Sequence, residues 1–195
     1  MTVTVDPTLA QVAPAAKDAI VSAFGAWASS GAALPQLSFD ATSTPGGAIR
    51  DGVNRLLFGP ITAPGHEENL AITLSYVDDS TGEVVEADII FNSAYDWTTL
   101  DPTAAASDDS GPGGCHHRYD LQNVATHEAG HFFGLGEDYD DEATTMYVSS
   151  QLCQTSKRTL SPSDVSVVSG LYAQGPVQAV APKCAVDTRA PGRTL

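Results

Sequence analysis

The stretch from Thr126 to Asp138 constrains the fold more than any other part of this 195-residue chain. It contains two histidines, His127 and His131, four residues apart, with Glu128 directly after the first. On an α-helix, side chains four residues apart lie on one face, with their Cβ atoms about 5–6 Å apart. Zinc binds imidazole nitrogens at about 2.0–2.1 Å, so both histidines can reach one ion. The spacing therefore predicts a metal site on this helical face, and the alternative is a helix that carries two incidental histidines.

The neighbouring residues predict where this helix begins and ends. Asp120 can cap its N-terminus, and apolar residues follow at helical spacing. Gly134 can end the helix in the left-handed conformation. The chain can then turn back and bring a third ligand to the metal.

The pattern H-E-x-x-H is a signature of zinc peptidases, in which the glutamate is the general base. Metzincins extend it to H-E-x-x-H-x-x-G-x-x-H and add a methionine turn. This chain has Gly134 at the glycine position, Glu137 in place of the last histidine, and a methionine at Met146, followed by Tyr147. The sequence therefore resembles the metzincins, most of all the matrixins and their short bacterial relatives, over roughly residues 12–172.

The resemblance implies the roles of the site residues. His127 and His131 are expected to bind zinc, and Glu128 to act as general base. Snapalysin-like members of the clan use a carboxylate as third ligand, so Glu137 is the expected third ligand. Asp138, one residue further on, is the alternative, because zinc accepts a carboxylate oxygen from either.

The resemblance also implies an α+β fold. We expect a twisted mixed sheet, an N-terminal helix, an active-site helix, and a C-terminal helix after a methionine turn whose methionine underlies the metal. Local patterns predict an extended lead-in at 1–8 and a first helix over 12–29. A capping-box-like Ser161-Pro162 predicts the start of the last helix. Strands are predicted at 37–41, 54–59, 70–77 and 83–92.

The length suits a single domain. We predict a catalytic domain over 1–173 and a tail or linker over 174–195, which contains proline and alanine but few bulky apolar side chains. The chain has no run of about 18 or more apolar residues, so no transmembrane segment is expected. Residues 1–12 lack the basic start and apolar centre of a signal peptide, so none is expected in this chain.

The three cysteines, Cys115, Cys153 and Cys184, form no C-x-x-C pair, so a cysteine zinc site is not expected. Cys115 precedes the active-site helix and Cys153 follows the methionine turn, and both segments should lie near the floor of the cleft. A disulfide between them would join the two segments and suit an oxidising compartment. Cys184 would then be unpaired. The alternative is three reduced, buried thiols.

The function predicted from these observations is that of a secreted, extracellular zinc endopeptidase. Its partner would be a peptide or protein substrate bound in an extended conformation at a sheet edge. The net charge of −15 argues against nucleic acid as a partner. The alternatives are a catalytically inactive metzincin-fold binding module and a metal-free structural domain.

Calcium is a second cofactor to consider, because it prefers clustered oxygen ligands. The acidic runs Asp108-Asp109 and Asp140-Asp141-Glu142 could supply them. An ordinary solvated acidic surface is the alternative interpretation of both runs.

Overall fold

The structure, a computed structural model, describes residues 1–13, 15–100, 114–173 and 186–189. Within these residues the chain forms three α-helices, eight short or medium strands and two 3₁₀ helices. The α-helices are α1 (Ala16–Ala28), α2 (Leu121–Phe132) and α3 (Pro162–Leu171). The strands are β1 (Thr2–Val5), β2 (Ser38–Ala41), β3 (Asn54–Gly59), β4 (Asn69–Val77), β5 (Val84–Asn92), β6 (Trp97–Thr98), β7 (Tyr119–Asp120) and β8 (Val186–Arg189). The 3₁₀ helices span Pro7–Gln11 and Ser156–Arg158.

The main sheet is mixed, with the strand order β2-β1-β3-β5-β4-β8. The four strands β2, β1, β3 and β5 run parallel to one another, whereas β4 runs antiparallel to β5. A tight turn after β4 reverses the chain: the Asp78 carboxylate accepts hydrogen bonds from the amides of Ser80 and Thr81. This mixed sheet with three helices confirms the predicted α+β fold.

An aromatic cluster packs α1 against α2. Phe24 makes edge-on contacts with Phe132 and Phe133, and the Trp27 indole donates a 2.7 Å hydrogen bond to the Thr126 carbonyl. A Cβ at Gly130 would lie 2.8 Å from the Trp27 ring, so only glycine allows the helices to approach this closely. The motif helix is therefore held on its buried side by the N-terminal helix.

Two sequence-based boundaries were wrong. The predicted lead-in at 1–8 contains β1, which pairs with both β2 and β3, because its alternating Thr-Val pattern suits a strand between two parallel neighbours. The predicted helix over 12–29 begins only at Ala16, and a separate 3₁₀ helix precedes it. Asp6 starts that 3₁₀ helix by accepting a 2.9 Å hydrogen bond from the Thr8 amide.

The predicted disulfide between Cys115 and Cys153 is present. It joins the segment before β7 to the segment after the methionine turn, and Cys184 lies outside the described residues. Of the predicted tail, 186–189 form β8, which pairs antiparallel with β4. The domain boundary at 173 stays a prediction. No helix in the described ranges is long and apolar enough to cross a membrane.

Candidate metal centre

The motif helix α2 is fixed at its N-terminus by Asp120. Its Oδ1 accepts a 2.7 Å hydrogen bond from the Asn123 amide, as the sequence predicts for an N-cap. Arg158 binds the same carboxylate through two nitrogens, with Nε 2.8 Å from Oδ1 and Nη2 2.5 Å from Oδ2. A bidentate guanidinium gives geometric specificity as well as energy, so the direction of the helix is well defined.

The two motif histidines turn the same nitrogen towards one point. His127 and His131 are buried, and their Nε2 atoms lie 3.0 Å apart. Each Nδ1 lies 2.8 Å from a carbonyl oxygen, that of Thr145 for His127 and that of Leu135 for His131. A carbonyl can only accept, so each Nδ1 is the protonated donor when the ring is neutral, and each Nε2 offers a lone pair.

The turn after the helix brings Glu137 to these nitrogens. Gly134 adopts φ of 89°, the left-handed conformation predicted for it. The Glu137 Oε2 lies 3.4 Å from His127 Nε2, and its Oε1 lies 3.6 Å from His131 Nε2. The Glu137 side chain is only 4% exposed, so the carboxylate is held inside the protein.

The environment of Glu137 fits a cation. Burial by itself raises the pKa of the carboxyl, but His127 and His131 outweigh it and lower the pKa to about 2. Both carboxylate oxygens are buried and lack a hydrogen-bond donor among the described residues. Two buried carboxylate oxygens that face two imidazole nitrogens form a set of ligand atoms that zinc accepts.

Within the described ranges, His127, His131 and Glu137 form the one group of three or more potential ligands, with ligand atoms within 4.8 Å of one another. The alternative ligand Asp138 is directed elsewhere. Its Oδ1 accepts hydrogen bonds from the Asp140 and Asp141 amides, and its Oδ2 accepts one from the Thr144 hydroxyl. The assignment of Glu137 as third ligand stays a prediction, which this geometry favours over Asp138.

The expectation of calcium finds no support in the described residues. Asp140, Asp141 and Glu142 are exposed, and they do not form a group that could hold an ion. The run Asp108-Asp109 lies outside the described residues.

Glu128, the predicted general base, is fully buried beside the first histidine. The Thr73 hydroxyl, on β4, donates a 2.7 Å hydrogen bond to its Oε2. This contact joins the sheet to the motif helix across 55 residues of sequence. Sequence analysis did not identify Thr73, because one threonine in an apolar strand gives no local signal of its contact.

The predicted methionine turn lies against the motif helix. Met146 is buried, and a Cβ at Gly130 would lie 2.2 Å from its sulfur. Asp164, at the start of α3, accepts hydrogen bonds from the Thr145 amide at 2.9 Å and the Met146 amide at 3.3 Å. Ser161 and Asp164 also form the capping box of α3, so the last helix and the methionine turn are fixed together.

A lysine that the sequence analysis did not single out lies beside the candidate ligand His127. Lys157 is only 1% exposed, and its Nζ donates a hydrogen bond to the Tyr147 carbonyl. Its Nζ is also 3.4 Å from His127 Nδ1. Burial lowers its pKa to about 8, although the negative charges of Glu137 and Glu128 oppose this shift. Burial and the charge of Lys157 together lower the pKa of His127, which favours its neutral form.

Comparison of the chain with protein families identifies one family whose model matches most of it. The model of the matrixin family matches residues 2–173, which include every described element except β8. No curated protein matches the chain.

Proposed function

Because the chain belongs to the matrixin family of zinc metallopeptidases, we propose that it is a secreted zinc endopeptidase with Glu128 as general base. The observation that carries the proposal is the buried group of His127, His131 and Glu137, with Glu128 on the adjacent helical position. The disulfide between Cys115 and Cys153 supports secretion, because disulfides persist mainly in oxidising compartments.

His127, His131 and Glu137 would hold the zinc. When bound, zinc supplies Lewis acidity, which polarises the scissile carbonyl and makes a water molecule more acidic. The Glu128 carboxylate accepts the proton of the attacking water and passes it to the leaving amine. The Thr73 hydroxyl restrains this carboxylate by its bond to Oε2.

The outer edge of β4 is the surface that supports binding of an extended substrate. In the structure this edge pairs antiparallel with 186–189, and Thr73 is in register with Val186. Thr73 also bonds Glu128, so a peptide on this edge passes directly beside the proposed base. We propose that a substrate adds to β4 in the same antiparallel direction, in place of 186–189. A synthetic peptide with the sequence of 184–191 should then inhibit cleavage competitively, and inhibition that is not competitive would contradict this placement.

The test of the function is the variant Glu128→Ala. Removal of a positioned general base should reduce hydrolysis of denatured casein about 10²–10⁴-fold. Zinc content should stay at that of the unchanged protein, because Glu128 is not a proposed ligand. The matched control is Glu83→Gln, which changes an exposed carboxylate directly before β5 and should retain full activity.

Two outcomes would contradict the proposal. Loss of zinc with Glu128 would show that this residue is a ligand and not the base. Zinc binding by the unchanged protein without any cleavage would favour the inactive binding module instead.

A further inference from the structure

The side chain of Thr73 connects the main sheet to the proposed base. Its hydroxyl oxygen lies 2.7 Å from Glu128 Oε2 and 3.3 Å from the main-chain carbonyl oxygen of Glu128. A hydroxyl has one proton to donate, and its hydrogen bonds to an ionised carboxylate are shorter and stronger than those to a neutral acceptor. The carboxylate is therefore the main acceptor of the Thr73 proton.

Thr73 holds this hydroxyl in a defined position. The residue is only 2% exposed, and it lies within the paired part of β4, in register with Ile89 of β5. A threonine side chain is stiff because it branches at Cβ. The carboxylate of a glutamate, by contrast, rotates broadly about its last side-chain bond. The hydrogen bond from Thr73 therefore restricts the rotation of the Glu128 carboxylate.

The same residue lies at the edge where we place the substrate. The outer edge of β4 pairs with 186–189, and Thr73 is in register with Val186. A peptide in this place lies opposite the main chain of Thr73, while the side chain of Thr73 contacts the base. One residue thus relates the position of the Glu128 carboxylate to that of the substrate strand.

We propose that Thr73 is a positioning residue that aligns the Glu128 carboxylate with a substrate on the β4 edge. The alignment acts on proton transfer, because a general base must lie within hydrogen-bond reach of the proton that it accepts. It does not act on metal binding, because the hydroxyl bonds Glu128, which is not a proposed ligand. The inference rests on the proposed function, since it takes Glu128 as the base and the outer edge of β4 as the substrate site.

The test is Thr73→Val, which keeps the branched shape and the strand preference of threonine but removes the hydroxyl. The kcat for denatured casein should fall about 10-fold or more, up to the roughly 10²-fold that a misplacement of about 1 Å can cost. KM and zinc content should stay close to those of the unchanged protein, because the strand edge and the proposed ligands are unaltered. Thr73→Ser, which keeps the donor, should retain most of the kcat.

The matched control is Thr126→Val, which removes a buried hydroxyl from the motif helix. The Thr126 hydroxyl donates its 2.7 Å hydrogen bond to the Gln122 carbonyl, so its loss should change kcat little. An unchanged kcat in Thr73→Val would overturn the proposal. An equal loss of kcat in Thr73→Ser would also overturn it, because it would show a packing role only.

A double-mutant cycle tests whether Thr73 acts through Glu128. In the Glu128→Ala background, Thr73→Val should cost no further hydrolysis, because no carboxylate remains to be aligned, and an equal loss in both backgrounds would overturn the proposal. The melting temperature of the metal-free protein gives a second readout. Thr73→Val should lower it more in the unchanged background, where a buried carboxylate loses a donor, than in the Glu128→Ala background. If Thr73→Val alone does not fold, the double variant should fold, and failure of both would contradict the proposal.

Activity and stability together separate this inference from the proposed function. A protein that hydrolyses no casein but shows the coupling in melting temperature would contradict the proposed function and leave the contact between Thr73 and Glu128 supported. A protein that loses hydrolysis with Glu128→Ala but keeps full kcat with Thr73→Val would support the proposed function and overturn the inference.

Discussion

Two buried carboxylates in this protein have opposite acid–base behaviour. Glu137 in the candidate metal centre and Asp88 in the middle of β5 both have buried oxygens without a hydrogen-bond donor among the described residues. The pKa of Glu137 is lowered to about 2, whereas that of Asp88 is raised to about 7. For Asp88, burial is the main cause, and the nearby charge of Glu86 adds to it, against one hydrogen bond from the Arg55 amide.

The difference shows that burial alone does not decide the charge of a carboxylate, because suitable partners can outweigh it. Glu137 faces two imidazoles, which keep it ionised and ready for a cation. Asp88 faces no histidine that could share a cation with it, and it is not part of a metal-binding group within the described ranges. A buried acid therefore indicates a metal site only when further ligand atoms point at the same place.

The strongest test of this comparison is to remove the Glu137 carboxylate. Loss of a residue that supports a metal ligand typically weakens metal binding about 10–100-fold. Glu137→Ala should weaken zinc binding by more than this, because it removes a proposed ligand itself. Asp138→Ala should bind zinc nearly as the unchanged protein does, since Asp138 bonds the loop amides of Asp140 and Asp141. Competition with a chromophoric chelator measures all these affinities. If Asp138→Ala releases the metal while Glu137→Ala keeps it, the register of the turn after Gly134 is wrong by one residue.

A smaller loss of zinc affinity is expected when position 137 keeps a metal-binding side chain of a different type. Glu137→His restores the three-histidine pattern of most metzincins, so zinc should stay bound. Its affinity should lie between those of the unchanged protein and Glu137→Ala. An affinity as low as that of Glu137→Ala would show that the turn cannot bring an imidazole to the metal.

The sequence predicted the parts of this centre that depend on neighbouring residues. The cap at Asp120, the facing pair His127 and His131, and the left-handed Gly134 all follow from spacing within about four residues. The four strands β2, β3, β4 and β5 of the main sheet followed from alternation and turn residues, whereas β1 and β8 were not predicted as strands. Strand β1 was missed because its pairing partners, 38–41 and 54–56, are far away in sequence.

The supporting residues could not be predicted in the same way. Thr73 contacts Glu128 across 55 residues, and Lys157 reaches His127 across 30. Their residue types are common in strands and on surfaces, so nothing local distinguishes them. In the folded protein, β4 and the 3₁₀ helix Ser156–Arg158 contact α2. The two side chains reach the site only through these contacts.

The last prediction concerns Asp88 and the pH dependence of stability. Because its pKa in the folded protein is about 7 and its ordinary value is 3.8, the folded state keeps the proton that the unfolded state loses between these values. The unfolded state binds fewer protons there, so the free energy of unfolding falls as pH rises from about 4 to 7. One pKa unit corresponds to about 1.4 kcal/mol, which sets an upper limit of about 4 kcal/mol for this group. Asp88→Asn removes the titration and should flatten this part of the stability curve.

Urea unfolding of the metal-free protein at several pH values measures the effect. The variant should gain stability relative to the unchanged protein as pH rises through this window, and the difference should become constant above about pH 7.

The control is Asp138→Asn, because the pKa of Asp138 is lowered by its bonds to the Asp140 and Asp141 amides. Its contribution to stability is lost only as pH falls below the ordinary value of 3.8, so its curve should run parallel to that of the unchanged protein between pH 5 and 7. If the free energy of unfolding of Asp88→Asn fell with pH as steeply as that of the unchanged protein, Asp88 would already be ionised at acidic pH. Its environment would then resemble that of Glu137, and the contrast between the two carboxylates would not hold.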